Sequence, residues 1–337
     1  MTSLLLDTIN RRPTSRRPVW IMRQAGRYLP EYRAFRQDHS FKALAGDAAL
    51  ATEVTLMPIN RFPLDAAIVF ADIMSPLPAL GVDFDFDPGP VVANPIRSET
   101  DLDALPTPDE DKLAPEVLAA LKLTRAALPD STALLGFCGA PWTLAAYLVE
   151  GRGTKEFPLL RSFAAARPDL LDRLLATLSD LMATYLIRQH AAGADAVQIF
   201  DSWAGLLSLA DWTRLIKPHL SRLLEKVGAA GVPRILFLQN APHLVDAYAD
   251  LPAEVLATDW RMDLGQLARR YSDRAIQGNI DPAILLGGAE PTRQATEKLL
   301  DAVPATGHIV NLGHGILPKT PIESVEALID TVHSERH

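Results

Sequence analysis

Ala196-Val197-Gln198-Ile199-Phe200-Asp201 is a short apolar, β-branched run that ends on an acid, with helical periodicity before it over residues 168–192 and after it over 211–227. Such a run, too short for a helix and without polar alternation, reads as a buried strand. The same kind of run recurs at residues 18–23 (PVWIMR), 66–71 (AAIVFA), 133–138 (ALLGFC), 234–239 (RILFLQ), 254–259 (EVLATD), 274–279 (RAIQGN) and 308–313 (HIVNLG). Helical periodicity marks 47–60, 112–128, 264–271, 292–302 and 321–332. Strand alternating with helix in this way predicts an α/β protein: a single (β/α)8 TIM-type barrel over residues 1–337, opened by a basic N-terminal segment, residues 1–17. A doubly wound open sheet is the alternative, but its glycine-rich dinucleotide turn follows none of these strands. Residues 80–108, where Val82 to Phe86 alternate and prolines follow, read as a hairpin or loop inserted after the second strand.

The 337 residues suit either such a barrel, typically ~250 residues plus insertions, or two ordinary domains. With 48% hydrophobic and 22% charged residues, a packed core is expected and general disorder is not. Lysine and arginine total 33 against 41 acids, and the net charge of −8 argues against a protein that coats nucleic acid or anionic membrane. The charge is uneven. Arg11, Arg12, Arg16, Arg17, Arg23, Arg27, Arg33 and Arg36 against Asp7, Glu31 and Asp38 make the first 40 residues +5 and the remainder −13. A single cysteine, Cys138, excludes internal disulfides, cysteine-rich zinc sites and iron–sulfur clusters, and fits a reducing, cytoplasmic setting. No apolar run approaches the ~18 residues of a membrane helix. Residues 1–12 do not read as a signal peptide.

In a parallel barrel the chemistry gathers at the C-terminal ends of the strands. Arg23, Asp72, Ser202 and His314 stand there. Arg27 follows Arg23 by four residues, a spacing that stacks two guanidinium groups on one helix face; in a loop, Gly26 instead lets backbone amides approach a ligand. Two such cations either bind a carboxylate or phosphate or pair with Glu31 or Asp72. Asp72, ending an apolar run, is placed to accept hydrogen bonds from ligand N–H groups, to stabilise a cation, or to act as a base. His314 lies between Gly313 and Gly315, a flexible and open setting unlike that of a core histidine.

Several chemistries are excluded. A Schiff-base enzyme needs a lysine at a strand end, and Lys155, Lys217 and Lys319 fall elsewhere. The strand ends carry one histidine, not the cluster of a metal hydrolase. Residues 151–155 lack the Gly-Lys-Ser/Thr of a phosphate loop. Cys138, inside an apolar run, reads as an inert core thiol.

Pro18-Val19-Trp20-Ile21-Met22-Arg23-Gln24-Ala25-Gly26-Arg27-Tyr28 resembles the N-terminal signature of the uroporphyrinogen decarboxylase family, and Gly136-Phe137-Cys138-Gly139-Ala140-Pro141-Trp142-Thr143 resembles its second. Phe200-Asp201-Ser202-Trp203-Ala204-Gly205, Gln277-Gly278-Asn279-Ile280-Asp281-Pro282 and Asn311-Leu312-Gly313-His314-Gly315-Ile316 are similar to the family in the same order, so the resemblance spans nearly the whole chain. Gln239-Asn240-Ala241-Pro242 matches no family motif and is assigned no role. The resemblance implies a cytoplasmic homodimer of single-domain barrels. It would convert the four acetate arms of uroporphyrinogen III to methyl groups, giving coproporphyrinogen III in haem and chlorophyll synthesis, with neither cofactor nor metal. Carried over by motif, Arg23 and Arg27 would bind substrate carboxylates beside the backbone of Gln24, Ala25 and Gly26. Asp72 would accept from the pyrrole N–H groups, and Tyr147, Ser202 and His314 would contact substrate side chains. Met22, Phe41, Ile68, Phe137 and Phe200 would wall the macrocycle or simply pack the core.

Loss of CO2 leaves two electrons on carbon, and without lysine, thiamine or metal the substrate must supply the sink. Protonating the pyrrole carbon that bears the arm would create a cationic ring, which Asp72 would stabilise as a fixed negative charge. The resemblance places Arg23 near the proton transfer, although arginine is a weak acid; His314 or water are the alternatives. Arg11, Arg12, Arg16 and Arg17 would steer the anionic substrate inward. Related corrinoid and coenzyme M methyltransferases share the fold but need one histidine and two cysteines for their zinc, and this chain has one cysteine. A non-catalytic polyanion carrier would need the arginines but not Asp72.

Overall fold

The computed structural model describes residues 3–86 and 89–335. Nine strands are present among the described residues: β1 (Ala66–Ile68), β2 (Phe84–Phe86), β3 (Pro90–Val92), β4 (Ala133–Gly139), β5 (Ala196–Asp201), β6 (Arg234–Leu238), β7 (Val255–Thr258), β8 (Ala275–Ile280) and β9 (His308–Leu312). Seven of them form one parallel sheet in the order β1-β4-β5-β6-β7-β8-β9, with Ile199 of β5, for example, opposite Leu236 of β6. Helices Ala48–Arg61, Pro115–Ala127, Pro168–Ala191, Lys217–Ala229, Leu264–Arg270, Ala289–Ala302 and Ile322–Ser334 alternate with these strands, as the α/β barrel requires.

The expected first strand, residues 18–23, is reduced to a bridge between Val19 and Val310. It still closes the ring. Val310 N donates to Pro18 O (2.9 Å) and Trp20 N to Val310 O (3.3 Å) on the β9 side, and Asp65 N donates to Val19 O (3.0 Å) on the β1 side. It stays irregular because side chains capture its other N–H groups: Val19 N donates to Asp65 Oδ2, Ile21 N to Gln24 Oε1 and Met22 N to Asn311 Oδ1, at 2.8–3.1 Å. Pro18 has no N–H to offer.

The inside of the ring is filled by Trp20, Leu135, Ile235, Phe237, Val255 and Ile309. Gln277 spans this apolar layer, accepting from Trp20 Nε1 and donating to Gln198 Oε1, both at 3.0 Å, so its buried amide is satisfied. β1, β4, β5 and β8 each begin on a buried alanine. These small residues leave room at the base of the barrel for Leu5 and Ile9 of the helix Leu4–Ile9, which packs against β4 and β9 as a plug.

That plug corrects the reading of the basic segment. Arg16 forks onto Asp65 with two 2.7 Å bonds; Arg17 is buried on Val303 O (2.7 Å) and pairs with Glu335; Arg11 donates to Arg274 O (2.9 Å); Arg12 pairs with Asp7. Asp65, Arg274 and Val303 all precede their strands, so these four arginines sit at the end of the barrel opposite Arg23 and brace the base instead of steering substrate into the mouth.

The predicted insertion is present as the antiparallel pair β2–β3, with Phe84 opposite Val92; Asp87 and Pro88 lie outside the described residues. The predicted helix over 211–227 is interrupted. A π turn, Trp212–Ile216, precedes Lys217–Ala229, because Pro218 offers no N–H and its ring crowds the preceding turn. Helix Pro141–Glu150 carried no periodic signal because every residue in it except Tyr147 is buried.

Candidate active site

Arg23 occupies the left-handed region (φ 61°), which a β-carbon disfavours. Gln24 holds it there: its side chain is fully buried, accepting Ile21 N at 3.1 Å and donating to Ala66 O at 3.0 Å. That side chain is therefore committed to the fold, and only the Gln24 backbone remains for a ligand. The Arg23 arm crosses Gly315, where an added Cβ would stand 2.3 Å from Arg23 Cδ; at Gly313 it would stand 2.5 Å from Trp260 N. Neither glycine has positive φ. The glycines beside His314 thus serve close approach, which replaces the expectation of a flexible setting.

Arg23 and Arg27 are both exposed, and the segment joining them is a loop, not a helix. Among the described residues neither forms an ion pair. Glu31 is taken by Arg61 (2.7 Å), so the ion-pair alternative does not hold. The charge of Arg23 acts on Asp72, Tyr147 and His314. That of Arg27 acts on Tyr32, further along the loop.

Asp72 lies four residues beyond β1, since pairing ends when Phe70 N turns to Thr55 Oγ1 (2.9 Å). Its Oδ1 accepts Met74 N at 2.9 Å; Oδ2 has no hydrogen-bond partner among the described residues and is not sealed from the cleft. Desolvation pushes its carboxyl pKa up, opposed by the Met74 N–H and by Arg23. Tyr147, on helix Pro141–Glu150, is likewise raised by desolvation, so its hydroxyl is a donor at neutral pH. His314 is lowered to about 4, first by desolvation and then by Arg23, and is a neutral imidazole at pH 7.

Ser202 follows the last residue of β5. Its N–H donates to Thr143 Oγ1 (2.9 Å), and Thr143 Oγ1 donates to the fully buried Asp201 Oδ1 (2.8 Å). Desolvation raises Asp201 to about 6. Neither Asp201 nor Thr143 is singled out for a role by the sequence; the acid closing an apolar strand is the one signal that points to the pair. The apolar wall is continuous: Phe137 meets Phe200 edge-on, Phe200 meets Phe237 (both 5.8 Å), and Phe237 lies 6.5 Å from the His314 ring. Met22 and Ile68 belong to the barrel-core cluster, whereas Phe41 packs on Phe70 and Phe86 away from it. Cys138 is buried and its thiol pKa is pushed up, an inert core thiol as expected.

The loop left without a role proves to be a support. Asn240 N donates to Asp259 Oδ2 (2.6 Å), and a Cβ on Gly205 would stand 2.2 Å from Asn240 O, so this loop lies directly on the turn that follows Ser202. Asp259 also holds Arg261 (3.1 Å), which stacks over Trp260 at 4.3 Å.

Fold and site together define a parallel α/β barrel with a cationic mouth beside Asp72, a carboxylate with an unpartnered oxygen among the described residues. A family model described as uroporphyrinogen decarboxylase (URO-D) matches residues 1–335. A uroporphyrinogen decarboxylase of Rhodococcus opacus is 44% identical over 343 residues, covering 98% of this chain and 95% of that protein. One of Citrifermentans bemidjiense is 40% identical over 334 residues, covering 99% and 98%. Among solved structures, a methyltransferase from Methanosarcina mazei matches with a TM-score of 0.84 over 99% of both chains at 20% identity, a likeness of fold. The chain belongs to the uroporphyrinogen decarboxylase family.

Proposed function

We propose that this chain removes the four acetate carboxyls of uroporphyrinogen III, giving coproporphyrinogen III and four CO2, as a carboxy-lyase of porphyrin biosynthesis. The observation that carries the reading is Asp72: a desolvated carboxylate with Oδ2 unpartnered, beside an unpaired Arg23, at the mouth of a barrel of this family. The substrate presents pyrrole N–H groups for the first and carboxylates for the second.

Electron balance refines the chemistry expected from sequence. If the proton added to the carbon bearing the arm, that carbon would be saturated and could not form the double bond that receives the electrons. The proton therefore adds to the neighbouring ring carbon next to nitrogen. The C–CO2 bond then breaks, its pair forms an exocyclic C=C, and the displaced ring electrons return to nitrogen. Protonation of the exocyclic carbon makes the methyl group, and loss of the added ring proton restores the pyrrole. Asp72 accepts the N–H hydrogen bonds and stabilises the transient cation in a poorly solvated setting. Arg23 binds and orients the reacting carboxylate, with Arg27 on an outer one. Tyr147 and Ser202 offer hydroxyls to the substrate arms, and the backbone of Gln24, Ala25 and Gly26 lies beside them.

A neutral His314 is no source of protons at pH 7 in the free protein, which supports a hydrogen-bonding role for it and leaves Arg23 or water to deliver the proton. The family resemblance supports a cofactor-free homodimer of single-domain barrels in the cytoplasm. No helix among the described residues is long and apolar enough to cross a membrane. Anaerobic, reducing incubation with uroporphyrinogen should yield hepta-, hexa-, penta- and tetracarboxylate products by chromatography. Substrate that stays bound and unchanged would instead mark a carrier.

A further inference from the structure

We propose that Arg261, on the turn that follows β7, is a further carboxylate-binding residue of the mouth and grips one of the four carboxylate arms that the reaction leaves on the substrate. The inference rests on the functional reading above and deepens it by assigning a residue to the arms that are not lost.

The turn is held from both ends. Asn279 Nδ2, on β8, donates to Asp259 O and to Met262 O, both at 2.8 Å, and Met262 N donates back to Asp259 O at 3.3 Å. The Asp259 side chain is 2% exposed and accepts Asn240 N (2.6 Å), Arg261 N (3.0 Å) and Arg261 Nη1 (3.1 Å). Arg261 Cζ lies 4.3 Å from the centre of the Trp260 ring. A pinned turn, a buried acid and an aromatic face thus fix the guanidinium before any ligand arrives, which lowers the cost of ordering it on binding.

Asp259 engages only one corner of that group and spends its charge on two backbone N–H groups as well. The Arg261 side chain is 45% exposed, and its Nε and Nη2 donate to nothing among the described residues. The acid therefore anchors the arginine from the buried side, and the pair of parallel N–H groups that suits a carboxylate is left unused.

Its place in the mouth follows from its neighbours. A Cβ on Gly313 would stand 2.5 Å from Trp260 N, so the turn is pressed against the residue before His314. His314, lowered first by desolvation, also feels the charges of both Arg23 and Arg261. The charge of Arg23 acts on Asp72 and Tyr147 too, whereas that of Arg261 acts on neither. Arg261 thus stands on the His314 side of the mouth, apart from the corner where the reacting carboxylate meets Arg23 and Asp72. A carboxylate bound there is not the one being lost. Only an arm that survives every round gives Arg261 the same contact with the substrate, with each partly decarboxylated intermediate and with the tetracarboxylate product.

The test compares the parent, Arg261→Gln and Arg261→Lys by anaerobic kinetics with uroporphyrinogen, by inhibition with coproporphyrinogen and by NMR titration of the His314 ring in the ligand-free protein. Arg261→Gln should raise KM and the coproporphyrinogen inhibition constant alike, by about tenfold or more, with the loss in binding and not in kcat. Arg261→Lys keeps the charge without the fork and should retain part of the affinity. In Arg261→Gln the His314 pKa should also rise from about 4, because a neighbouring cation is gone, a change that an arginine with a purely structural role away from the site would not produce. A coproporphyrinogen constant within about twofold of the parent's, or a His314 titration that does not move, would overturn the inference while conversion of uroporphyrinogen by the parent stands. A parent that leaves uroporphyrinogen unconverted would instead sink the functional reading, and this inference with it. The Arg261 side chain is exposed and Asp259 keeps its two backbone donors, so both variants should fold.

Discussion

Thr143 Oγ1 donates to Asp201 Oδ1 at 2.8 Å, and this one bond ties the helix that carries Tyr147 to the strand that ends beside Ser202. Removing it with Thr143→Val leaves the Ser202 N–H without its acceptor and Asp201 without its hydroxyl donor. Stability should fall by about 1–3 kcal/mol, and kcat/KM should fall with it if Tyr147 and Ser202 contact substrate as proposed, because the two side chains lose their common anchor. Denaturant unfolding and steady-state kinetics check the two halves of this expectation.

Asp201 also sets a pH dependence. Its folded pKa, raised to about 6 by desolvation, lies above the unfolded aspartate value of ~3.9, so the folded state holds the extra proton. The contribution is fully present below ~4 and is lost as pH rises through about 6, a change on the order of 3 kcal/mol. Asp201→Asn keeps an oxygen for Thr143 and abolishes the titration. Unfolding free energies at pH 4.5 and 7.5 should therefore converge in the variant relative to the parent. An unchanged difference would show that Asp201 does not titrate in this range.

His314 moves in the opposite sense. A histidine lowered to about 4 adds stability above its unfolded value of ~6.5 and loses it as pH falls through about 4. Its ring resonance in NMR should titrate near the lower value in the free protein. A charged imidazole at pH 7 would contradict the assignment of His314 as a neutral hydrogen-bonding group.

Gly315→Ala places a methyl group where the Arg23 arm runs. The arm sits at the surface, so the unfolding temperature should change little while kcat/KM drops by at least tenfold, as the guanidinium is displaced from the carboxylate it is proposed to orient. Arg23→Lys separates binding from proton transfer. If turnover at saturating substrate stays near that of the parent and only KM rises, Arg23 takes no part in the proton transfer.

The barrel was legible in residues 66–313 because its strands are buried and its outer helices two-faced, two patterns that hydrophobicity records directly. The sealing segment was misread as a strand. Its apolar letters are those of a strand, but Asp65, Gln24 and Asn311, remote or out of phase, take its N–H groups. Arg23, Asp72 and His314 stood out as polar residues at strand ends, and the structure puts Asp72 and His314 within electrostatic reach of Arg23. Tyr147 did not stand out, because its helix is apolar on every side and periodicity cannot single out one face. The arginines of residues 1–17 carry the same charge as Arg23 and were expected to steer the same anionic substrate toward it. Composition cannot say which end of a barrel a residue occupies, and the Leu4–Ile9 plug puts them at the base.

The most direct measurement is the turnover of Asp72→Asn with uroporphyrinogen. The amide keeps the shape and one acceptor but removes the negative charge. With that charge stabilising the ring cation, the rate should fall by about 10²–10³-fold, substrate affinity should change far less, and the fold should be retained. Turnover within a few-fold of the parent would contradict the account.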